Sequence, residues 1–432
     1  MMENRTSLID QLSDRLSEQS QRTTQTHTVF LKNRAASLEV ITAVVSHQLM
    51  SYMPEGKVYP VKKEKSLFNL ADLKEFATGS LAKVFGPDYA IFDQRRSPRI
   101  PNGDLLLFSR VTHLGGIPGH FDRTTSITTE YDVPLDAWFL TQNNYPTLPF
   151  SILQELSLQP CGFLSAWLGT SFLQPDQDLY FRNLDGQATL LWEPDVRGKQ
   201  ITAKAHLLST TVGGGTIIQK FKFTLSIEGK LFFQGQSVFG YFQASAMQNQ
   251  IGMDNGKPNP APAVLPGDPI LHYPKTDPVK PHYQLPTGHL DLLHGTPIGA
   301  KILGETNKEI TMNTAINPSD WFYACHFYQD PVMPGSLGVE AIFQMLQAFA
   351  LDTIPAQHFI SPRFCLIPGS PVAWKYRGQI TQNTRQMSIK VDLKPVQILP
   401  GQVIILGDAS LWADQVRIYE INNAGIKLTE SV

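Results

Sequence analysis

The sequence predicts an α+β protein made of two copies of one domain, each a single buried helix wrapped by antiparallel strands. Three observations predict it. Trp138 and Phe139 recur as Trp321 and Phe322, 183 residues on, and Asn143 recurs as His326 at the same separation. Pro146, Pro149, Ser151, Glu155 and Gln159 recur as Pro331, Pro334, Ser336, Glu340 and Gln344, 185 residues on. A period this long lies far above the roughly 20–50 residues of a solenoid repeat and fits a duplicated domain. Within each copy, short β-rich runs come before and after one strong helix, which is an α+β layering.

The elements follow in chain order. Residues 1–95 read as a helical extension outside the duplication, with Leu8, Leu12 and Leu16 at helical spacing and a similar pattern over 30–46. The first copy, 96–250, opens near Leu105 to Val111. It continues through strands at Thr216–Leu225 and Gly229–Phe233, punctuated by Gly213, Gly214 and Gly215. Nine prolines between Pro258 and Pro286 exclude helix interiors and central strands, so 251–287 reads as an extended connector. The second copy is 288–432. Arg197 to Thr202 against Arg377 to Thr381 extends the repeat downstream.

Trp321 to His326 reads as a strand that delivers a histidine, followed by a Pro-Gly turn and a helix. The helix of the first copy runs from Ser151 to about Leu164, capped by Ser151, with Glu155 and Gln159 on one face and a kink at Pro160. Its counterpart carries Ser336, Glu340 and Gln344 without that proline. Leu337, Val339, Ala341, Ile342, Phe343, Leu346 and Ala348 make it apolar almost all round, which implies burial.

Composition narrows the function classes. A net charge of -2, with mixed signs, advertises no nucleic-acid partner. No apolar run approaches the ~20 residues of a membrane span, and the N-terminal stretch lacks the apolar core of a signal peptide, so a cytoplasmic protein is the simple reading. Cys161, Cys325 and Cys365 stand in unrelated contexts, without metal-ligand or disulfide spacing. His113 and His120, seven apart, match no common metal motif and read as loop residues.

The segment from Cys325 to Ala341, CHFYQDPVMPGSLGVEA, closely resembles the active-site segment of FabA-type 3-hydroxyacyl-acyl carrier protein dehydratases. The duplication with one histidine replaced by Asn143 resembles the double hot-dog dehydratase regions of the polyketide-like synthases that make polyunsaturated fatty acids or heterocyst glycolipids. KVFGPDYAIFD and RIPNGDLLLFSRVTHL resemble the lead-in of those regions. The resemblance covers about residues 75–432. It implies two tandem hot-dog folds, an acyl chain carried on acyl carrier protein, other lipid-synthase subunits as partners, and no metal or organic cofactor. The chain departs from the FabA branch in carrying Glu340 where that branch has Asp, as the FabZ branch does. In the family, histidine and acid come from opposite hot-dogs, which implies that His326 works with Glu155 while Glu340 faces Asn143 in a second, dead site.

The residues suit that chemistry on their own terms. Removing water from a 3-hydroxyacyl thioester needs a base for the proton beside the carbonyl, an acid for the leaving hydroxyl, and donors for the enolate oxygen. Histidine titrates near working pH, and a glutamic acid in an apolar pocket can keep its proton. Backbone N–H groups at Gly335 and Ser336 suit the third task, because a helix start leaves its donors free. Gln159 and Gln344 are candidate orienters, and Trp138, Phe139, Trp321, Phe322 and Tyr323 are candidate walls of an acyl tunnel. Cys325 reads as a small core residue pointing away from His326. Arg95, Arg96 and Arg99 form a basic cluster suited to an acidic carrier or to solvent. A hot-dog acyl thioesterase and a non-catalytic module of a larger lipid synthase stand as alternatives. Two copies in one chain permit either a monomer or a homodimer of double hot-dogs.

Overall fold

The computed structural model describes residues 66–430, apart from 122–124, 249, 274–281, 304–306 and 355–358. The helical pattern expected before residue 66 therefore lies outside the described residues. The strands are β1 (Arg110–Gly115), β2 (Ser126–Asp132), β3 (Leu179–Leu190), β4 (Gln200–Gly213), β5 (Thr216–Ile227), β6 (Lys230–Gln243), β7 (Ile298–Leu303), β8 (Asn307–Ala315), β9 (Pro362–Cys365), β10 (Pro371–Tyr376), β11 (Gln386–Leu393), β12 (Gln397–Leu399), β13 (Gln402–Ala413) and β14 (Val416–Glu430). The helices are α1 (Leu70–Thr78), α2 (Leu81–Phe85), α3 (Trp138–Thr141), α4 (Phe150–Trp167), α5 (Ala244–Gln248), α6 (Phe322–Cys325) and α7 (Gly335–Thr353).

The strands form one sheet in the order β1-β2-β4-β5-β6-β3-β10-β14-β13-β11-β8-β7, with β12 and β9 attached to β13 and β14. Each half repeats one topology, and the halves meet where β3 pairs antiparallel with β10, from Thr189 opposite Pro371 to Asp185 opposite Lys375. This is a double hot-dog, with α4 and α7 as the two central helices. Alternate residues of β5 point inward, from Ile217 through Phe221, Phe223 and Leu225 to Ile227, as a strand with one covered face requires. Every residue of α7 from Ser336 to Leu351 is buried. Phe150 of α4 stacks on Phe343 of α7, ring centroids 5.3 Å apart, so the helices pack against each other across the seam.

Hydrogen bonds repeat the pseudo-twofold relation. Asn102 N–H donates to the Cys325 carbonyl at 2.9 Å and Thr287 N–H to the Gln142 carbonyl at 2.8 Å, each reaching into the other copy. Gln159 donates to the Leu105 carbonyl and Gln344 to the Leu290 carbonyl, both at 2.8 Å.

Several sequence expectations change here. Trp321 to His326 is not a strand: Phe322–Cys325 forms the short helix α6, and Trp138–Thr141 matches it as α3. Aromatic runs of four residues fit a strand or a helical turn equally, and packing selects the turn. Pro149, rather than Ser151, precedes α4. The Ser151 N–H instead donates to Glu340 at 3.3 Å, and α4 continues through Pro160 to Trp167. Arg197 lies just before β4 whereas Arg377 directly follows β10, so that downstream sequence match joins opposite ends of corresponding loops.

Residues 66–95 pack onto the first hot-dog. Asn69 and Asp72 form a reciprocal cap on α1. Phe68, Phe76 and Phe85 each meet Phe163 of α4 with ring centroids 5.1–5.4 Å apart. Described residues of the 251–287 stretch contact the second hot-dog: Arg417 grips Asp254 at 2.6 Å, and the Tyr283 hydroxyl donates to the Ile354 carbonyl at 2.8 Å.

Candidate active site

A cavity of about 780 Å³, its open mouth included, lies between the two central helices, and both copies contribute to it. The second copy supplies His326, Val332, Gly335, Ser336, Tyr376 and Gln379, and the first supplies Glu155, Leu158, Gln159, Gly162, Phe181, Arg182 and Phe239. His326, which ends α6, has its Nδ1 3.0 Å from the Val332 carbonyl oxygen. A carbonyl only accepts, so in the neutral ring Nδ1 carries the hydrogen and Nε2 keeps the lone pair. Burial draws His326 from the usual histidine value down to about 4; the Val332 contact opposes this and the Arg182 charge adds to it. At neutral pH the ring is therefore an uncharged base.

Glu155 comes from one turn inside α4 and is only 7% exposed. Ser336 Oγ donates to its Oε1 at 2.6 Å, and Gln159 Nε2 donates to its Oε2 at 2.9 Å. Burial raises its pKa, while these two donors pull it back. Burial thus favours the protonated acid and the two donors favour the carboxylate. The amides of Gly335 and Ser336 open α7 beside it, and the first turn of a helix leaves such donors without intrahelical acceptors.

The loop between His326 and α7 is anchored across the seam. Arg182 of β3 grips Asp330 through two hydrogen bonds, at 2.7 and 2.8 Å, and donates to Gln379 at 2.8 Å. Arg99, 7% exposed, also lines the cavity and donates to the Phe76 and Gly79 carbonyls, so it is not the solvated surface residue that the sequence allowed. Arg182, Gln379 and Tyr376 escaped the sequence reading. Their contacts join segments 148 to 222 residues apart, and only Asp330 lies in a recognisable motif.

The pseudo-symmetric second site, again built from both copies, is made differently. The Asn143 amide donates to the Phe139 and Thr147 carbonyls, the latter at 3.3 Å, and Thr147 is the counterpart of Val332. Glu340 is fully buried, accepts from the Ser151 N–H, and leaves Oε1 without a partner; burial raises it to about 7. Tyr145, Asn144 and Gln347, all buried, are joined by hydrogen bonds beside it.

Of the expected orienters and tunnel walls, Gln159 lines the cavity and the others do not. Trp138 and Trp321 instead meet each other at the pseudo-twofold axis, centroids 5.3 Å apart, with His289 against both. Their indole N–H groups donate to the Asp104 and His289 carbonyls, respectively. Phe139, Phe322 and Tyr323 belong to the core, and Gln344 is engaged with Leu290. Aromatic residues that flank a catalytic motif are equally suited to core packing, and here packing claims them. Cys325 stays apart from His326 because it ends α6 against Gly103, not because strand residues alternate.

A family model described as a FabA-like domain matches residues 285–422. This stretch of the chain is similar to that family. It holds His326, the turn and α7, while the Asn143 half lies outside the match. The chain is also 32% identical over 402 residues to one of the subunits of a polyunsaturated fatty acid synthase from Thraustochytrium sp., an alignment covering 85% of this chain and 26% of that relative. It thus spans about a quarter of the relative's length. Among solved structures, an isomerase-inactive variant of GphF DH1 aligns at 13% identity and TM-score 0.40, covering 78% of this chain and 98% of that one. An oleoyl thioesterase from Lactobacillus plantarum aligns at 10% and 0.38, covering 70% and 96%. Among the described residues, no helix is long and apolar enough to cross a membrane.

Proposed function

We propose that this chain is a dehydratase that removes water from 3-hydroxyacyl thioesters carried on an acyl carrier protein, giving trans-2-enoyl products for a polyketide-like lipid synthase. The observation that carries the reading is the shared cavity, with an uncharged imidazole from one copy and a buried carboxyl from the other. His326 Nε2 takes the C2 proton, and the electron pair forms the C2–C3 double bond as the C3–O bond breaks. Glu155 gives its proton to the departing hydroxyl, which leaves as water. Gly335 and Ser336 amides meet the negative charge on the thioester oxygen.

This assignment uses groups of the chain alone. Val332 fixes the tautomer, Ser336 and Gln159 aim the acid, and Arg182 with Asp330 holds the loop that carries His326. Glu340 and Asn143 belong to the second, pseudo-symmetric site, which does no chemistry. The carrier protein and other synthase subunits are the implied partners.

Incubating the purified chain with a 3-hydroxyacyl carrier thioester and following its mass tests the reading. Loss of one water supports it. Release of the free acid would instead mark a thioesterase, and an unchanged thioester would mark a non-catalytic module.

A further inference from the structure

The two halves share a topology, yet the second fills ground that the first leaves open. Gly162 of α4 stands where α7 carries Gln347, 185 residues on. Gln347 is fully buried, donates to the Tyr145 hydroxyl at 2.7 Å and accepts from Asn144 at 3.2 Å, so it and its partners occupy the space beside α7. Gly162 leaves the matching space beside α4 to the cavity, which it lines with Ile100, Leu158, Phe181 and Phe239. A glycine inside a helix costs about 1 kcal/mol relative to alanine. Here α4 neither ends nor turns at Gly162, and what its missing side chain permits is the close approach of the Phe181 ring at the cavity wall.

The lining changes character along α4. Glu155, Leu158, Gln159 and Gly162 share one face at helical spacing, and Glu155 to Gly162 spans about 10 Å along the axis. Glu155 and Gln159 stand toward one end of this face, and Gly162 with Ile100 and Phe181 toward the other. At the Gly162 end, Phe181 and Phe239 stack with centroids 4.7 Å apart and planes 2° from parallel. A Cβ on Gly162 would lie 3.3 Å from the Phe181 ring, and that ring is braced by Phe239 against retreat.

We propose that Gly162 and Phe181 set the acyl length: the distal carbons run along α4 from Glu155 and stop where Gly162 faces the Phe181–Phe239 stack. The inference rests on the dehydratase reading and adds to it which half houses the chain and what ends it. Side chains added at position 162 shorten the chain accepted, and trimming Phe181 or Phe239 lengthens it.

Saturated acyl-pantetheine thioethers of increasing length do not react, so calorimetric titration reads binding apart from catalysis. In the natural protein, affinity should climb roughly fifteenfold for each added pair of carbons, at about 0.8 kcal/mol per methylene, up to a limit. Gly162→Leu should move that limit to shorter chains, with a loss that grows with length and exceeds tenfold for the longest. Gly162→Ala should do the same by a smaller step, and Phe181→Leu and Phe239→Leu should move the limit the other way. A limit unmoved in a Gly162→Ala protein of unaltered melting temperature overturns the inference. Matched 3-hydroxyacyl carrier thioesters separate the two readings: a moving limit without dehydration removes only the dehydratase, and dehydration with a fixed limit removes only the length gate.

Discussion

Ser336 Oγ lies 2.6 Å from Glu155 Oε1, a hydrogen bond that ties the start of one central helix to the acid on the other. The symmetry-related pair is looser, with Glu340 held only by the Ser151 N–H at 3.3 Å and one oxygen unpartnered. The two glutamates are therefore alike in sequence position and unlike in surroundings. Replacing Glu155 by Gln should lower kcat/KM for dehydration by about 10²–10⁴-fold, while Glu340→Gln leaves most of it. Steady-state kinetics on both variants decides this, and the reverse ranking would remove the crossed pairing.

Restoring the missing imidazole should not restore a second centre. Asn143 already bonds the carbonyl that matches the one beside His326, but Tyr145 and Gln347 fill the surrounding space. His326→Asn should abolish turnover, and the double variant His326→Asn with Asn143→His should stay inactive. Activity regained in the double variant would show that the second site keeps a usable cavity.

The pH profile follows from burial. His326 sits near 4, so it is a free base above that value and is lost as base when pH falls through it. Glu155 must hold its proton, so activity declines as pH rises through its own raised value. The acid limb of kcat/KM should thus lie well below the ordinary histidine value of about 6.5. An acid limb at the ordinary value would contradict a buried base.

Glu340 makes stability pH-dependent through the second site. Its folded value, about 7, stands above the ordinary glutamate value of 4.5, so the folded state keeps the proton longer than the unfolded chain does. Its effect is absent below about 4.5 and grows to a cost on the order of 3 kcal/mol as pH climbs through 7. Glu340→Gln removes that titration. Melting temperatures taken at pH 5 and pH 8 should show the natural protein losing several degrees relative to the variant, and parallel curves would refute the assignment.

The seam itself can be probed at Gly186. A Cβ there would overlap the Trp374 indole, which bonds Asn183 at 2.7 Å and closes the β3–β10 junction. Gly186→Ala should destabilise by about 1–3 kcal/mol in chemical denaturation and loosen both sides of the cavity. No change in midpoint would mean that the seam tolerates overpacking.

Much of this was legible beforehand. The duplication, the two apolar helices, the Pro-Gly turn, His326 and Glu155 all lie in local patterns, where spacing along the chain maps directly onto a helix face or a turn. The misread parts are equally instructive. Trp321 to His326 looks like a strand because a short aromatic run carries no period, and Trp138 and Trp321 look like tunnel walls because nothing local distinguishes a pocket from a core.

The sequence by itself determined the repeat, the hot-dog pattern of one helix among strands, and the residue types needed for proton transfer, since each rests on contacts within a few turns of chain. Only the tertiary structure decided which glutamate shares a cavity with His326, that Arg182 anchors the loop after His326, and that Gly162 opens one half where Gln347 closes the other. Those outcomes depend on side chains brought together from opposite copies, and packing across a seam leaves no spacing in the chain from which to read it.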